Sequence, residues 1–345
     1  MMFCYNNTRI LMQFHITGKC NLRCKHCYRS EGDVEPLTFE NIVDIIEQFK
    51  ELRGIYNDRH DIKCKGHINI TGGEPFARAD IEEILLYLGR NNRYLSYGVL
   101  SNGSFIDDEM VEILKKTKVS FVQLSIDGNR EIHDDLRAPG DYDRVLNKAE
   151  NLEKNGIRTY ISFTANKQNY KYLPHVAKEC RKRKVTKLWS DRLVPIGNGE
   201  EMKSLAIDAK EFPKYVKYLK KAQGNWFVKK LYPKTQVTMN RALQFQKSKG
   251  NVYSCSAGTS LITVDEFGNI MPCRRMPIIC GNATKEKLVD VYYNDKVFNE
   301  LRISHIPDEC NSCRYNYICA GGARCQSYAT NNSYFKADPS CPIKE

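Results

Sequence analysis

The sequence contains no apolar run of the roughly 20 residues that a membrane-spanning helix requires. Its first nine residues, Met1 to Arg9, lack the apolar stretch and the small-residue cleavage site of a secretory signal. It also has no internal repeat and no low-complexity segment. These absences argue against a membrane protein, a secreted protein and a repeat protein. We therefore expect a cytoplasmic globular protein, whose 345 residues allow one large domain or two ordinary ones.

Cysteine and basic residues are the two abundant features. Fourteen cysteines in a cytoplasmic chain favour metal binding or redox chemistry over disulfides. The formal net charge of +12 favours an acidic partner such as an acidic peptide or a nucleic acid, although a solvated basic surface would also explain it. The densest basic run, residues 178–187, lacks the interleaved aromatic residues typical of a nucleic-acid platform. Nucleic acid is therefore the weaker expectation.

Short apolar runs alternate with longer amphipathic ones between residues 10 and 195. The short runs predict strands at Ile10–Ile16, His67–Thr71, Ser96–Leu100, Ser120–Ile126, Thr159–Thr164 and Lys187–Val194. The longer runs predict helices at Phe39–Leu52, Ile81–Arg90, Asp108–Lys116, Tyr142–Asn155 and Tyr170–Lys184. Strands and helices in alternation predict an α/β fold with a parallel sheet and crossover helices.

Three regions follow from this pattern. Six strands are too few for an eight-stranded barrel, so residues 1–197 predict a partial (β/α)6 TIM-type barrel with its chemistry at the carboxyl ends of the strands. Residues 198–250 predict a lysine-rich helical bridge, with helices at Ile207–Gly224 and Lys234–Lys247. Residues 251–345 hold eight of the fourteen cysteines and predict a small, irregular, metal-stapled domain. Leu261–Val264 and Ile270–Met271 predict a β-hairpin within it, which would bring Cys255 and Cys273 together.

The first strand is followed by a loop with three cysteines, Cys20, Cys24 and Cys27. Iron–sulfur clusters are held by cysteine thiolates, and three thiolates leave one iron of a four-iron cluster open to a bound molecule. A structural zinc ion would need a fourth ligand, and His26 lies awkwardly between two of the cysteines. The spacing therefore favours a reactive iron–sulfur cluster over zinc.

This loop resembles that of the radical S-adenosylmethionine superfamily, and the aromatic Tyr28 after the third cysteine fits the same pattern. After the second strand, Gly72-Gly73-Glu74-Pro75 is similar to the family's GGEP motif. The resemblance implies a [4Fe-4S] cluster whose open iron binds the amino and carboxylate groups of S-adenosylmethionine. Reduction would then cleave the sulfonium to a 5′-deoxyadenosyl radical. Glu74 would receive the methionine ammonium, and the glycines would let the backbone approach the ligand.

Polar residues also follow the later strands. The resemblance implies that they hold the ribose and the carboxylate of the cofactor, and the residues concerned are Ser101, Asn102, Ser125, Asp127 and Arg137. Asn166 and the Pro195-Ile196-Gly197 turn would line the adenine. Residues of these types also form ordinary strand-to-helix turns and helix caps, which is the alternative interpretation. For His15 and His133, a structural role is favoured over proton transfer.

The C-terminal cysteines resemble those of the SPASM domain, which carries two auxiliary iron–sulfur clusters. The resemblance implies an outer cluster held by Cys310, Cys313, Cys319 and Cys341, and an inner one held by Cys255, Cys273 and Cys325. Two departures from the family pattern leave questions open: Ala323 stands where the family usually has a cysteine, and Cys280 is either a fourth ligand or a bystander. Two zinc ribbons are the alternative. We assign no role to Cys4, Cys64 or Cys180.

The resemblance covers nearly the whole chain and implies an enzyme that oxidatively modifies a ribosomally made peptide, with the auxiliary clusters taking up an electron. Thioether and carbon–carbon cross-links are the typical products. Arg274-Arg275 occupies the place where sulfatase-maturing members carry an acidic residue, which argues against that activity. The alternatives are a dehydrogenase or cofactor-biosynthesis enzyme acting on a small molecule, and a non-catalytic electron carrier.

The expected partners are a precursor peptide, acidic or cysteine-containing, and an electron donor such as flavodoxin or ferredoxin. Only nineteen residues precede Cys20, so we expect direct peptide binding or a separate leader-binding protein. No membrane partner is expected.

Overall fold

The computed structural model describes residues 9–29, 32, 34–238, 255–303 and 305–343. Ten strands form one sheet: β1 Leu11–Thr17, β2 Gly66–Gly72, β3 Leu95–Leu100, β4 Val122–Ser125, β5 Thr159–Ala165, β6 Lys187–Arg192, β7 Gln236–Thr238, β8 Leu261–Val264, β9 Asn269–Met271 and β10 Gly281–Asn282. Their order in the sheet is β10-β9-β8-β1-β2-β3-β4-β5-β6-β7.

The first six strands are parallel and lie side by side in chain order. The helices between them are α1 Phe39–His60, α2 Ile81–Arg90, α3 Asp108–Lys116, α4 Arg130–Leu136, α5 Asp141–Lys154 and α6 Leu173–Lys182. This arrangement confirms the predicted α/β fold with a partial TIM-type barrel. All six predicted strands are present, whereas the short helix α4 was not expected.

Three of these six helices, α1, α3 and α4, begin at a capping side chain, whereas α2, α5 and α6 have none. The Thr38 hydroxyl accepts a hydrogen bond from the Asn41 amide in a capping box at the start of α1, and Asp107 caps α3. Helix α2 buries one apolar face, while Met12, Phe14 and Ile16 of β1 are fully buried. One large hydrophobic core therefore joins the helices to the sheet.

The cysteine-rich region continues the same sheet. Strand β8 pairs with β1 in parallel, in a register that runs from Leu11 opposite Leu261 to Phe14 opposite Val264. Strands β8 and β9 form the predicted antiparallel hairpin. The helices of this region are α9 Leu288–Asn294, α10 Lys296–Arg302, α11 Asn316–Cys319 and α12 Arg324–Asn331.

The region between barrel and hairpin is only partly helical. Helices α7 Phe212–Gln223 and α8 Trp226–Leu231 are present. The helix predicted at Lys234–Lys247 is wrong in its described part, because Gln236–Thr238 extends the sheet beside β6, where β-branched Val237 and Thr238 suit a strand. Its remainder lies outside the described residues. Within the described residues, no helix is long and apolar enough to cross a membrane.

Candidate functional site

A cavity of about 220 Å³ opens at the carboxyl ends of the barrel strands. Its lining includes most of the residues that the sequence pointed to: Cys20, Cys24, Cys27, Tyr28, Gly72, Gly73, Ser101, Asn102, Ser125 and Arg137. Gln123, Ser162 and Thr164 from β4 and β5 add polar groups. The parallel sheet therefore brings together residues that are more than 100 positions apart in the chain.

Gly72 and Gly73 allow the cysteine loop to cross the end of β2. A Cβ atom on Gly72 would lie 2.2 Å from the Thr17 carbonyl oxygen, and one on Gly73 would lie 2.1 Å from that of Lys19. Gly72 also has a φ of 141°, which L-residues rarely adopt. The two glycines are thus required by the close approach of the cysteine loop.

Glu74 is fully buried behind the cavity. Its carboxylate accepts hydrogen bonds from the Ser101 hydroxyl at 2.7 Å, the Asn102 amide at 2.7 Å and the Phe76 amide. Burial raises the pKa of Glu74 to about 7, although these hydrogen bonds oppose the rise. A carboxylate held in place but poorly solvated is well suited to bind a cationic group.

Asp127 and Arg137 form a buried pair beside the cysteine loop. The Arg137 Nε donates to Asp127 Oδ2 at 2.7 Å, and the Arg137 Nη1 lies 3.7 Å from Cys24 Sγ. Burial alone would raise the pKa of Asp127, but the Arg137 guanidinium and the contact with the His26 ring outweigh it and hold the pKa well below its usual range. Asp127 thus orients Arg137, whose guanidinium faces a predicted cluster ligand.

Three residues singled out in the sequence have structural contacts. Asn166 does not line the cavity; its side chain accepts hydrogen bonds from the Gln168 and Asn169 amides in the turn after β5, so its contact with an adenine stays a prediction. His133 is buried and bonds both Asp141 and the Asp127 amide. His15 is buried too, and burial holds its pKa well below the usual value.

Arginines from the C-terminal region complete the cavity, which the sequence did not reveal. Arg274 stacks over the Tyr28 ring at 4.6 Å and donates to its hydroxyl at 3.1 Å. Arg275 pairs with Asp191, and Arg29 pairs with Glu266. The sequence placed Arg274 and Arg275 next to Cys273, but only the pairing of β8 with β1 brings them over the cysteine loop.

The four cysteines predicted for the outer cluster lie together. Cys310, Cys313, Cys319 and Cys341 line one small cavity of about 20 Å³, with Gly321 and Ala337. The turn Ala320–Gly322 has positive φ values throughout and brings the chain back past Cys319. Four thiols around one void are a donor set that suits an iron–sulfur cluster.

The inner set is less compact. Cys255 and Cys273 pack in one small hydrophobic cluster, whereas Cys325 packs beside Val194 in another. Cys280 packs against the main core, where burial and the nearby Asp295 carboxylate raise its pKa. A thiolate beside a carboxylate is electrostatically unfavourable, so this contact argues against Cys280 as the fourth ligand.

The thiols fit clusters better than single metal ions. Cys20, Cys24 and Cys27 are close enough that their charges influence one another, and all three line the main cavity. Among the described residues, no group of three or more His, Cys, Asp or Glu side chains is arranged around a single ion position. Three thiols that line one cavity are a donor set that suits a cluster of several iron atoms.

Comparison with known proteins supports this interpretation. The family model described as the radical SAM superfamily matches residues 14–180, and that described as an iron–sulfur cluster-binding domain, SPASM, matches residues 248–314. These ranges contain the cysteine loop and the β8–β9 hairpin, respectively. The superfamily binds a [4Fe-4S] cluster and S-adenosylmethionine, and SPASM domains bind auxiliary clusters.

Three similar proteins cover nearly the whole chain. An AdoMet-dependent heme synthase of Methanosarcina barkeri is 26% identical over 99% of this chain and 98% of its own. The mycofactocin maturase MftC of Mycolicibacterium smegmatis is 25% identical over 96% of this chain and 82% of its own. The structure of Streptococcus suis SuiB bound to the precursor peptide SuiA has a TM-score of 0.76 and 18% identity, covering 97% of this chain and 76% of that one.

At 18% identity the SuiB structure shows the fold alone. The two family models match the regions that carry the cysteine loop and the C-terminal cysteines from Cys255 to Cys313. The chain belongs to the radical SAM superfamily and is an enzyme with a C-terminal SPASM iron–sulfur domain.

Proposed function

We propose that this enzyme oxidatively modifies a ribosomally made peptide. The observation that carries the proposal is the main cavity, whose lining includes three cysteine thiols, Arg274 from the SPASM domain, and the Ser101 and Asn102 residues that hold the buried Glu74 carboxylate behind it. Relatives named as a mycofactocin maturase and as a bacteriocin biosynthesis protein support the peptide as substrate. A thioether, a carbon–carbon cross-link or another oxidative C–H change would be the product.

Each residue at the cavity would have a distinct task. Cys20, Cys24 and Cys27 would hold the reactive cluster, and Glu74 would bind the ammonium group of S-adenosylmethionine. Arg137, fixed by Asp127 at 2.7 Å, would face the carboxylate. When bound, the reduced cluster and its cofactor supply a 5′-deoxyadenosyl radical that removes a hydrogen atom from substrate carbon. The side chains around them bind, orient and exclude water.

The auxiliary cysteines would provide the route for the surplus electron. Cys310, Cys313, Cys319 and Cys341 would hold the outer cluster, and Cys255, Cys273 and Cys325 would hold the inner one. A flavodoxin or ferredoxin would supply the reducing electron. A separate leader-binding protein is a further candidate partner.

A small-molecule substrate is the second candidate function. It is favoured by the match to heme synthases, which extends over 99% of this chain and 98% of the Methanosarcina barkeri protein. In that case the same cavity would receive a tetrapyrrole precursor or a comparable small molecule.

Anaerobic reconstitution distinguishes these functions. The reconstituted protein is reduced with dithionite and incubated with S-adenosylmethionine, and 5′-deoxyadenosine is measured. The same protein is then incubated separately with peptides encoded by neighbouring open reading frames and with Fe-coproporphyrin III. The masses of the products are measured by mass spectrometry. A mass change in a peptide supports the proposal, a change in the porphyrin supports the second candidate, and absence of 5′-deoxyadenosine from a fully loaded protein contradicts both.

A further inference from the structure

The positive charge of the chain is concentrated in one segment. Between Glu211 and Asp265 the sequence has no acidic residue, while it has ten basic ones: Lys214, Lys217, Lys220, Lys221, Lys229, Lys230, Lys234, Arg241, Lys247 and Lys249. Because the whole chain carries +12, all other residues together contribute 12 − 10 = +2. The catalytic machinery described above uses none of these ten residues.

Three of these lysines surround an open cavity on helix α7. Lys217, Lys220 and Lys221 are exposed and line a shallow cavity of about 550 Å³, together with Pro213 and Val216. Lys214 and Lys234 pair with Glu211 and Glu153. The three cavity lysines, in contrast, form no ion pair with any residue that the structure describes. Their charges are therefore available to a partner.

Exposed apolar side chains lie immediately beyond this cavity. Trp226, Phe227 and Leu231 on α8 are 64%, 71% and 71% exposed, and no residue of that helix is buried. Large apolar side chains exposed side by side are uncommon on a monomeric protein and mark an interaction surface. We call Lys217, Lys220, Lys221, Trp226, Phe227 and Leu231 the α7–α8 surface.

We propose that the α7–α8 surface binds an acidic segment of the peptide substrate, with apolar side chains between its carboxylates. This inference rests on the proposed peptide-modifying function. The lysines match carboxylates in charge, and the aliphatic carbons of Pro213 and Val216 give the cavity an apolar floor for one side chain. An amphipathic segment laid into such a groove is a common mode of peptide recognition.

Two other occupants fit less well. A nucleic acid would need aromatic faces for base stacking, but Trp226 and Phe227 pack edge to face at 5.0 Å, and the Lys230 amine lies 5.0 Å from the Trp226 ring centre. A membrane-binding helix needs a longer apolar face than α8 offers with its six residues.

The α7–α8 surface lies at the opposite end of the barrel from the main cavity. Arg181, at the end of α6, donates to the Ala222 carbonyl near the end of α7, and this end of α6 leads into the start of β6. The six residues of β6 span about 20 Å. The acidic segment and the modified residue would therefore be separated by at least about six residues of extended substrate.

A binding experiment on the full-length, cluster-loaded protein tests this proposal. The probe is a fluorescein-labelled synthetic peptide of about 14 residues, with Glu on one helical face and Leu on the other. One variant carries Lys217→Gln, Lys220→Gln and Lys221→Gln, and a second carries Trp226→Ser and Phe227→Ser. The matched control carries Lys178→Gln, Lys182→Gln and Lys184→Gln, which removes three exposed lysines of the other basic run.

We expect both test variants to bind the peptide about tenfold more weakly than the unmodified protein, and the control to bind within about twofold of it. Unchanged binding in either test variant, or equal weakening in the control, overturns the proposal. The proposal is also overturned if the test variants lose binding to phosphatidylserine vesicles or to a single-stranded oligonucleotide but still bind the peptide as well as the unmodified protein does. Formation of 5′-deoxyadenosine is measured for every variant. If no variant forms 5′-deoxyadenosine, the proposed function is contradicted, but the peptide-binding result can still be interpreted separately.

Discussion

The carboxylate of Asp338 holds the guanidinium of Arg192 through two hydrogen bonds of 2.8 Å, and both side chains are almost fully buried. Arg192 ends β6 and lines the main cavity, whereas Asp338 lies near the C-terminus. The Asp338 carboxylate also accepts a hydrogen bond from the Ala323 amide beside Cys325. One ion pair thus joins the barrel, the cavity and the auxiliary-cluster region.

We expect Asp338→Asn to lower the free energy of unfolding by about 3–5 kcal/mol, because it leaves the buried Arg192 charge without its partner. Urea unfolding of the cluster-free protein measures this effect. The exposed pair of Lys115 and Glu112 provides the control, since Glu112→Gln should change stability by less than about 0.5 kcal/mol. Equal effects of the two substitutions would contradict the importance of burial.

The raised pKa of Glu74 predicts pH-dependent cofactor binding. A pKa of about 7 means that the carboxyl group is largely protonated at pH 6 and must lose its proton to bind an ammonium group. Affinity for S-adenosylmethionine should therefore rise about tenfold from about pH 6 to about pH 7.5. Anaerobic equilibrium dialysis measures it, with Glu74→Gln expected to bind weakly and independently of pH. A pH dependence that persists in this variant would show that another group is responsible.

Substitution of single cysteines should separate the three clusters. Cys24→Ala should remove about four iron atoms per chain and abolish 5′-deoxyadenosine formation. Cys313→Ala should also remove about four iron atoms but retain cleavage of S-adenosylmethionine, because the reactive cluster is intact. Iron analysis and chromatography measure both effects. Cys64→Ser is the control and should change neither quantity.

Cys280 provides a direct test of the inner cluster. Because its thiol faces Asp295, we expect Cys280→Ala to keep its full iron content, whereas Cys273→Ala should lose about four iron atoms. Electron paramagnetic resonance of the reduced proteins should show one signal fewer only in Cys273→Ala. Iron loss in Cys280→Ala would identify this residue as a ligand after all.

Gly73→Ala should disturb the cysteine loop without removing any functional group. The new Cβ would meet the Lys19 carbonyl at 2.1 Å, so we expect a destabilisation of about 1–3 kcal/mol and poor cluster loading. Gly54 in α1 has open space around its Cα, and Gly54→Ala should stabilise the protein by up to about 1 kcal/mol. Normal cluster loading in Gly73→Ala would show that the loop can shift.

The barrel could be predicted from the sequence because its signals are local. Each of the six strands is a short apolar run, and helices such as α2 carry a clear apolar face. Helix α4 was missed because its seven residues, Arg130–Leu136, are mostly charged and contain only two aliphatic side chains. Strand β7 was mistaken for helix because three residues carry no periodicity.

The candidate site was predictable to the extent that its residues follow strands or form cysteine motifs. The resemblance to SPASM domains implied a common centre for Cys310, Cys313 and Cys319, and these residues do line one cavity. The contact of Arg274 with Tyr28 was not predictable, because it depends on the pairing of β8 with β1. Strand pairing across some 250 residues leaves no local trace in a single sequence.

That pairing has a consequence for how the two halves of the molecule can move. Strand β1 runs directly into the cysteine loop, and the four register positions from Leu11 to Phe14 are matched by Leu261 to Val264. Sliding or hinging of the SPASM region would break the β1–β8 pairing directly before the cysteine loop. Sheet register would therefore hold the cysteine loop and the β8–β9 hairpin at one separation, and an electron passing between clusters at these two sites would cross a constant gap at every stage of turnover.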